Sequence, residues 1–209
     1  MNLNEAQQKH NQQFTRAVAM IKRTQEQLPL APALVSWVRI VLLPFCIWAG
    51  WNSDYTTMFS LCLLAAFSDY ADGWLARRLK KSSTPGKTLD ILADKLFLSV
   101  MLIFLARLGI LNGTLAMIPA LYHITVVLGL LIVSWSIKIP VVAITTSERL
   151  TIILSYILVL TGAGALAYPD KSIFFKLIWV AEILTPIAVA FGVISYFRFS
   201  RRLIQRYMQ

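Results

Sequence analysis

Six apolar stretches alternate with short polar breaks along the chain, each close to the roughly 20 residues a helix needs to cross the hydrocarbon core of a bilayer. They predict helices over about 33–51, 55–79, 88–110, 114–135, 150–168 and 173–197. The breaks between them carry turn-forming residues: Asn52 and Asp54, then Ser82 to Gly86, then Asn112 and Gly113, then Thr145 to Ser147, then Pro169 and Asp170. An even number of crossings places both ends on one side. Residues 1–30 are polar and lack a continuous apolar core, so no cleavable signal peptide is expected and the N-terminus is predicted to stay in the cytoplasm. Within them Phe14, Ala17, Val18, Ile21 and Leu28 recur at helical spacing while Arg16, Lys22 and Arg23 lie off that face, which predicts an amphipathic helix on the inner leaflet. The expected fold class is all-α: a polytopic membrane protein of six transmembrane helices with an N-terminal amphipathic interfacial helix. Residues 1–30 form a cytoplasmic juxtamembrane segment and 31–209 the membrane domain.

Composition agrees with that reading, since 57% hydrophobic and 14% charged residues with a mean hydropathy of +0.66 do not describe a soluble fold. The net charge of +10 is a usual mark of a nucleic-acid binder. Here the basic residues lie between long apolar runs, where they suit anionic lipid headgroups, so no nucleic-acid partner is expected. Their distribution also sets orientation. Lys9, Arg16, Lys22, Arg23, Arg77, Arg78, Lys80, Lys81, Lys87, Lys138, Arg149, Arg198, Arg201, Arg202 and Arg206 fall on the side of the N-terminus, against Arg107, Lys171 and Lys176 on the other. The positive-inside rule makes the first side cytoplasmic. Cys46 and Cys62 have no metal-knuckle or disulfide spacing and read as small core hydrophobes.

Four of the ten acidic residues, Asp69, Asp72, Asp90 and Asp94, lie within or at the ends of the second and third helices. Charges at membrane depth are costly and mark function. Spacings of three and four put each pair on one helix face, and the short loop 80–86 makes the two helices antiparallel neighbours, so the carboxylates can converge near the cytoplasmic surface. Converging negative charges need cations among them, and oxygen-only ligands select Mg2+ or Mn2+. Two such ions would clamp a diphosphate and its leaving group. Arg77, Lys80 and Lys81 stand beside the cluster for phosphate oxygens, and Gly73 and Gly86 remove side chains where a ligand could approach the backbone.

Asp69-Tyr-Ala-Asp72-Gly73-Trp-Leu-Ala76-Arg77, followed after eight residues by Gly86-Lys-Thr-Leu-Asp90-Ile-Leu-Ala-Asp94, fits the pattern D-x2-D-G-x2-A-R-x8-G-x3-D-x3-D. This resembles the signature of the CDP-alcohol phosphotransferase family, and the likeness in layout spans about residues 30 to 200. The resemblance implies attack of an alcohol on the lipid-side phosphorus of a CDP-linked lipid with release of CMP. It implies that Asp69, Asp72, Asp90 and Asp94 hold two metal ions and that Asp94 is the general base on the acceptor hydroxyl. Asp69, Asp72, Gly73, Ala76, Arg77, Ser83 and Gly86 would hold the CDP-lipid donor. Arg39 and the Leu-Asp90-Ile-Leu-Ala-Asp94-Lys95-Leu run are similar to phosphatidylglycerophosphate synthases and related cardiolipin synthases, which use CDP-diacylglycerol. The expected acceptor is therefore glycerol 3-phosphate, with phosphatidylglycerol, inositol phosphate, inositol, serine and choline as alternatives. The expected location is a bacterial inner membrane with a cytoplasmic active site, and homodimers are common in the family.

Departures from the synthase pattern are concentrated around the acceptor. An Arg beside an acidic residue is replaced by Leu121-Tyr122-His123-Ile124, and a Gly-Lys-x-Lys-Thr element by Ser147-Glu148-Arg149-Leu150-Thr151. His123, Lys138 and Arg149 are candidates for an acceptor phosphate, each with a structural alternative: a bonded bundle histidine, an interface lysine, and a surface pair of Arg149 with Glu148. Arg39, a cation in an apolar helix, needs either a carboxylate of the cluster or the substrate as its partner. Gly162 and Gly164 predict close helix packing, and Glu182 either an interhelical contact or a lipid-exposed end. The competing class is a cation transporter, for which the Gly73, Arg77 and Gly86 spacing gives no reason.

Overall fold

A computed structural model describes the chain over residues 30–79, 84–137 and 146–207, with side chains described over 38–68, 91–129, 131–132 and 146–195. The described residues form six helices and no strand: α1 (Leu30–Trp51), α2 (Tyr55–Leu79), α3 (Thr84–Arg107), α4 (Gly113–Ile137), α5 (Thr146–Ala167) and α6 (Ser172–Tyr207). The expected amphipathic segment 1–29, and Ser83 and Lys138, lie outside the described residues.

Local chemistry explains where the helices end. At the close of α1, Ser53 sits in the left-handed region (φ 60°), letting the Asp54 N–H reach the Ala49 carbonyl at 2.9 Å. Asp54 then caps α2, accepting the Thr57 N–H at 3.1 Å. Bonds from the Thr57 hydroxyl and backbone hold the Asp54 carboxyl below its ordinary value. α3 stops at Arg107, three residues before the apolar run does. Gly109 (φ 76°) allows the Ile110 N–H to bond the Leu105 carbonyl at 3.3 Å and the Gly109 N–H to bond that of Ala106 at 3.1 Å. Asn112 caps α4 through the N–H groups of Thr114 and Leu115, at 3.1 and 3.3 Å.

Several helices extend beyond the hydropathy reading for a shared reason: apolarity marks contact with lipid or core, whereas the backbone ladder needs only helical residues. α3 begins at Thr84, inside the expected loop, with Pro85 in the first turn where its missing N–H costs nothing. α6 runs about ten residues past the apolar stretch, through Arg198, Arg201, Arg202 and Arg206. Its 36 residues measure about 54 Å at 1.5 Å per residue, well beyond a hydrocarbon core of roughly 30 Å.

α3 is the central helix, packed against α1, α4 and α5, while α2 leans on α1 and α5 and α6 closes against α4 and α5. Its Phe97, Leu98, Met101, Leu102 and Leu105 share one buried core with Cys46 and Ala49 of α1, Met58, Cys62 and Ala65 of α2, and Leu158, Val159 and Ala163 of α5. The outside is apolar as well: Trp48, Trp51, Phe67, Ile132, Trp179 and Phe191 are all exposed. That exterior inverts the soluble pattern and suits a lipid solvent. α5 and α6 are long and apolar enough to cross a membrane, over Thr146–Ala167 and Ser172–Ser195, and the apolar parts described in α1, α2 and α4 are shorter.

Small residues allow close packing, as expected for Gly162 and Gly164: Gly164 faces α6, and Gly162 faces α3 and the loop after it. A Cβ at Gly164 would meet the Phe174 ring at 2.5 Å, and one at Gly162 would meet Leu105 at 3.2 Å. Phe174 is itself packed edge-on to Phe59 and stacked on Tyr168, so it has little room to yield. Gly164→Ala is expected to destabilise the bundle by about 1–3 kcal/mol through overpacking, seen as a lower thermal midpoint in detergent, with a smaller loss for Gly162→Ala. Glu182 takes the interhelical alternative, accepting the Asn112 N–H at 2.5 Å and tying the start of α4 to α6.

Candidate active site

The four aspartates stand on the two helices that the motif predicts, Asp69 and Asp72 in the second half of α2 and Asp90 and Asp94 in the first half of α3. Gly73, Ala76 and Arg77 follow on α2, and Gly86 lies in the first turns of α3. The side chains of Asp69, Asp72, Ala76, Arg77 and Asp90 are outside those described. Asp94 is described fully and is the anchor of the site.

Asp94 is 6% exposed and is held by groups from two other helices. Arg39 of α1, fully buried, forms an ion pair with its Oδ1. The Tyr156 hydroxyl of α5 donates to the same oxygen at 2.8 Å. Arg39 also donates from Nε to the Ser68 hydroxyl of α2 at 3.4 Å, and Ser68 donates to the Ala65 carbonyl at 2.8 Å. Of the two partners open to Arg39 in the sequence, the structure supplies the carboxylate. The physical cause is plain: a guanidinium in an apolar helix is stable only beside a counter-charge that also satisfies its N–H groups.

A second ionic contact lies immediately beyond. Lys95 of α3 is fully buried, and its Nζ is 2.8 Å from Glu148 Oε1 of α5 and 5.4 Å from the centre of the Tyr122 ring of α4. Glu148 is 1% exposed whereas Arg149 is exposed, so these two are not a surface pair: α5 turns the acid inward and the base outward. The helix period explains it, because Glu148, Thr151 and Ser155 fall on one stripe of α5 and all three are buried. His123 is also fully buried, with Nε2 3.0 Å from the Ser155 hydroxyl, which is the bonded-histidine alternative. Its Nδ1, the Tyr122 hydroxyl and Lys95 Nζ make no hydrogen bond among the described residues, so the contact of Lys95 with Glu148 is one of charge. The buried hydroxyls of Ser99 and Thr151 bond back to carbonyls one turn earlier, at 2.6 and 3.0 Å.

Asp94 and Lys95 thus join α1, α4 and α5 to α3 by polar contacts inside an apolar bundle. Sequence reasoning found Asp94 and Arg39 but gave no role to Lys95, Tyr156 or Ser68, and placed Glu148 only in the surface-pair alternative for Arg149. A signal for the second pair was present: Lys95 falls in an apolar run, and a buried ammonium requires an anion. Tyr156 and Ser68 gave no such signal, being ordinary residues of apolar helices.

Comparison with known proteins points the same way as the site. A 79-residue segment, 36% of this chain, is 38% identical to a CDP-diacylglycerol--glycerol-3-phosphate 3-phosphatidyltransferase of Pseudomonas fluorescens, covering 40% of that protein. A 66-residue segment, 32% of this chain, is 39% identical to the enzyme of the same description from Aquifex aeolicus, covering 37% of it. A probable cardiolipin synthase (CMP-forming) of Drosophila melanogaster is 30% identical over 105 residues, half of this chain and 33% of that one. The chain therefore spans about two fifths of the length of the first two relatives. The family profile reaches further, from the start of α1 to the apolar end of α6, and with its match over residues 29–194 the chain belongs to the CDP-alcohol phosphatidyltransferase family.

Proposed function

We propose that the protein transfers the phosphatidyl group of CDP-diacylglycerol to glycerol 3-phosphate, yielding phosphatidylglycerophosphate and CMP. The observation that carries this reading is the eight-position motif on α2 and α3, ending on an Asp94 that is buried and held by Arg39 and Tyr156. In the reaction the acceptor hydroxyl oxygen bonds to the lipid-side phosphorus, and the bond from that phosphorus to the CMP oxygen breaks. The hydroxyl proton passes to Asp94, a carboxylate whose orientation is fixed before substrate arrives.

The donor set Asp69, Asp72, Asp90 and Asp94 offers only carboxylate oxygens, which fits two Mg2+ or Mn2+ ions. Bound there, the metals supply charge neutralisation on the diphosphate. Gly73, Ala76, Arg77, Ser83 and Gly86 are assigned to the CDP moiety, with Arg77 meeting phosphate oxygens. Arg149, exposed at the start of α5, and Lys138 are assigned to the acceptor phosphate. Six helices of this apolarity are read as six spans of a bacterial inner membrane, and the arginines at the end of α6 keep both termini and the site on the cytoplasmic side.

The test is CMP release by purified protein in detergent with CDP-diacylglycerol and Mg2+. Glycerol 3-phosphate is expected to stimulate release and chelation of the metal to abolish it. Phosphatidylglycerol, inositol phosphate, inositol, serine and choline run in parallel; stimulation by one of these in place of glycerol 3-phosphate reassigns the acceptor. Absence of release with every acceptor overturns the transferase reading.

A further inference from the structure

Asp94 and Lys95 are consecutive on α3, yet their partners on α5, Tyr156 and Glu148, are eight residues apart. Eight residues span about 12 Å of helix, so the two contacts fix α5 against α3 at two heights. A helical side chain leans toward its own N-terminus. Lys95 therefore reaches back toward the start of α3 to meet Glu148 near the start of α5, and Tyr156 leans the same way to meet Asp94. A slip of α5 by one turn, about 5.4 Å, would break both contacts together. Neither residue is needed to fill space polarly: an apolar pair of similar volume would pack there at no greater cost than a buried ion pair.

We infer that Tyr156 is a positioning residue for Asp94, and that the buried Lys95–Glu148 ion pair is the register lock that delivers the Tyr156 hydroxyl to it. The inference rests on the transferase reading above. Tyr156 and Arg39 donate to the same oxygen of Asp94 from two different helices packed on α3, and two donors together restrict the orientation of the carboxylate. The Tyr156 ring is separately held by stacking on Phe97, with centres 6.3 Å apart and planes 24° from parallel. That contact belongs to the ring, so removing the hydroxyl tests its polar contacts, the bond to Asp94 among them, with the packing intact.

The experiment compares steady-state CMP release by the wild type, Tyr156→Phe, the double variant Lys95→Met/Glu148→Met and the triple variant, each with its thermal midpoint in the same detergent. Tyr156→Phe is expected to lower kcat about ten- to hundredfold, the scale of one hydrogen bond to a charged group. KM for both substrates should change by less than about threefold, because the bond acts on Asp94 and not on substrate binding. The double variant is expected to fold and to lose kcat as well, and adding Tyr156→Phe to it should cost less than the product of the two separate losses. A purely structural role would move midpoints and leave this kcat pattern absent. Wild-type kcat in Tyr156→Phe overturns the positioning role, and full kcat in the double variant, or multiplicative losses in the triple, overturns the lock. Absence of CMP release from the wild type itself overturns the transferase reading and this inference with it.

Discussion

Asp94→Asn is expected to lower kcat by about 10²–10⁴, the range for losing a general base, while the variant still binds CDP-diacylglycerol in the presence of Mg2+. The amide has nearly the shape of the carboxylate but cannot take the acceptor proton. The same substitution removes the counter-charge of Arg39, which is fully buried. Breaking a buried ion pair costs about 3–5 kcal/mol, so turnover and stability should fall together. The two are separable. Adding Arg39→Met to Asp94→Asn removes the cation of the broken pair and is expected to restore part of the thermal midpoint with no recovery of turnover. CMP release near the wild-type rate by folded Asp94→Asn would remove the general-base assignment.

The largest stability effects belong to the Lys95–Glu148 pair. Glu148→Met leaves a fully buried ammonium facing a thioether, and Lys95→Met leaves a carboxylate of 1% exposure facing one. Each is expected to destabilise the protein by about 3–5 kcal/mol. Replacing both by Met removes the desolvation cost of two ions along with their attraction, and is expected to return the midpoint close to that of the wild type. Chemical unfolding of the four proteins in one detergent closes this cycle. Near-additive losses in the double variant would show that the two charges do not act as a pair. The Tyr122 ring beside Lys95 gives the ammonium a second favourable contact that survives the loss of Glu148 and is lost with Lys95, so Lys95→Met should cost more than Glu148→Met.

Several elements were legible because one-dimensional signals determine them. Apolar runs gave six helices, and the α2 limits of 55 and 79 are the observed ones. Boundaries were legible only where polarity and backbone chemistry coincide. α6 carries its arginines as helix beyond the apolar run, and α3 stops at the positive φ of Gly109 inside an apolar one. The site was half legible. Asp69, Asp72, Asp90 and Asp94 are conspicuous because a carboxylate in an apolar helix needs a reason, and Arg39 is conspicuous by the same logic. Which partner Arg39 takes was not, since the choice lies 55 residues away along the chain.

The sequence by itself determined an all-helical apolar chain, the motif that marks the family, and the helices that carry the four aspartates. These follow from spacing along one chain, where the helix period and the cost of charge in an apolar medium are enough. Only the tertiary structure decided that Glu148 turns inward to Lys95 while Arg149 faces out, that Tyr156 reaches Asp94, and that His123 Nε2 meets the Ser155 hydroxyl. Each depends on how far one helix is rotated and shifted against another. That register is set by the sum of many side-chain contacts across the bundle, and no local run of residues encodes it.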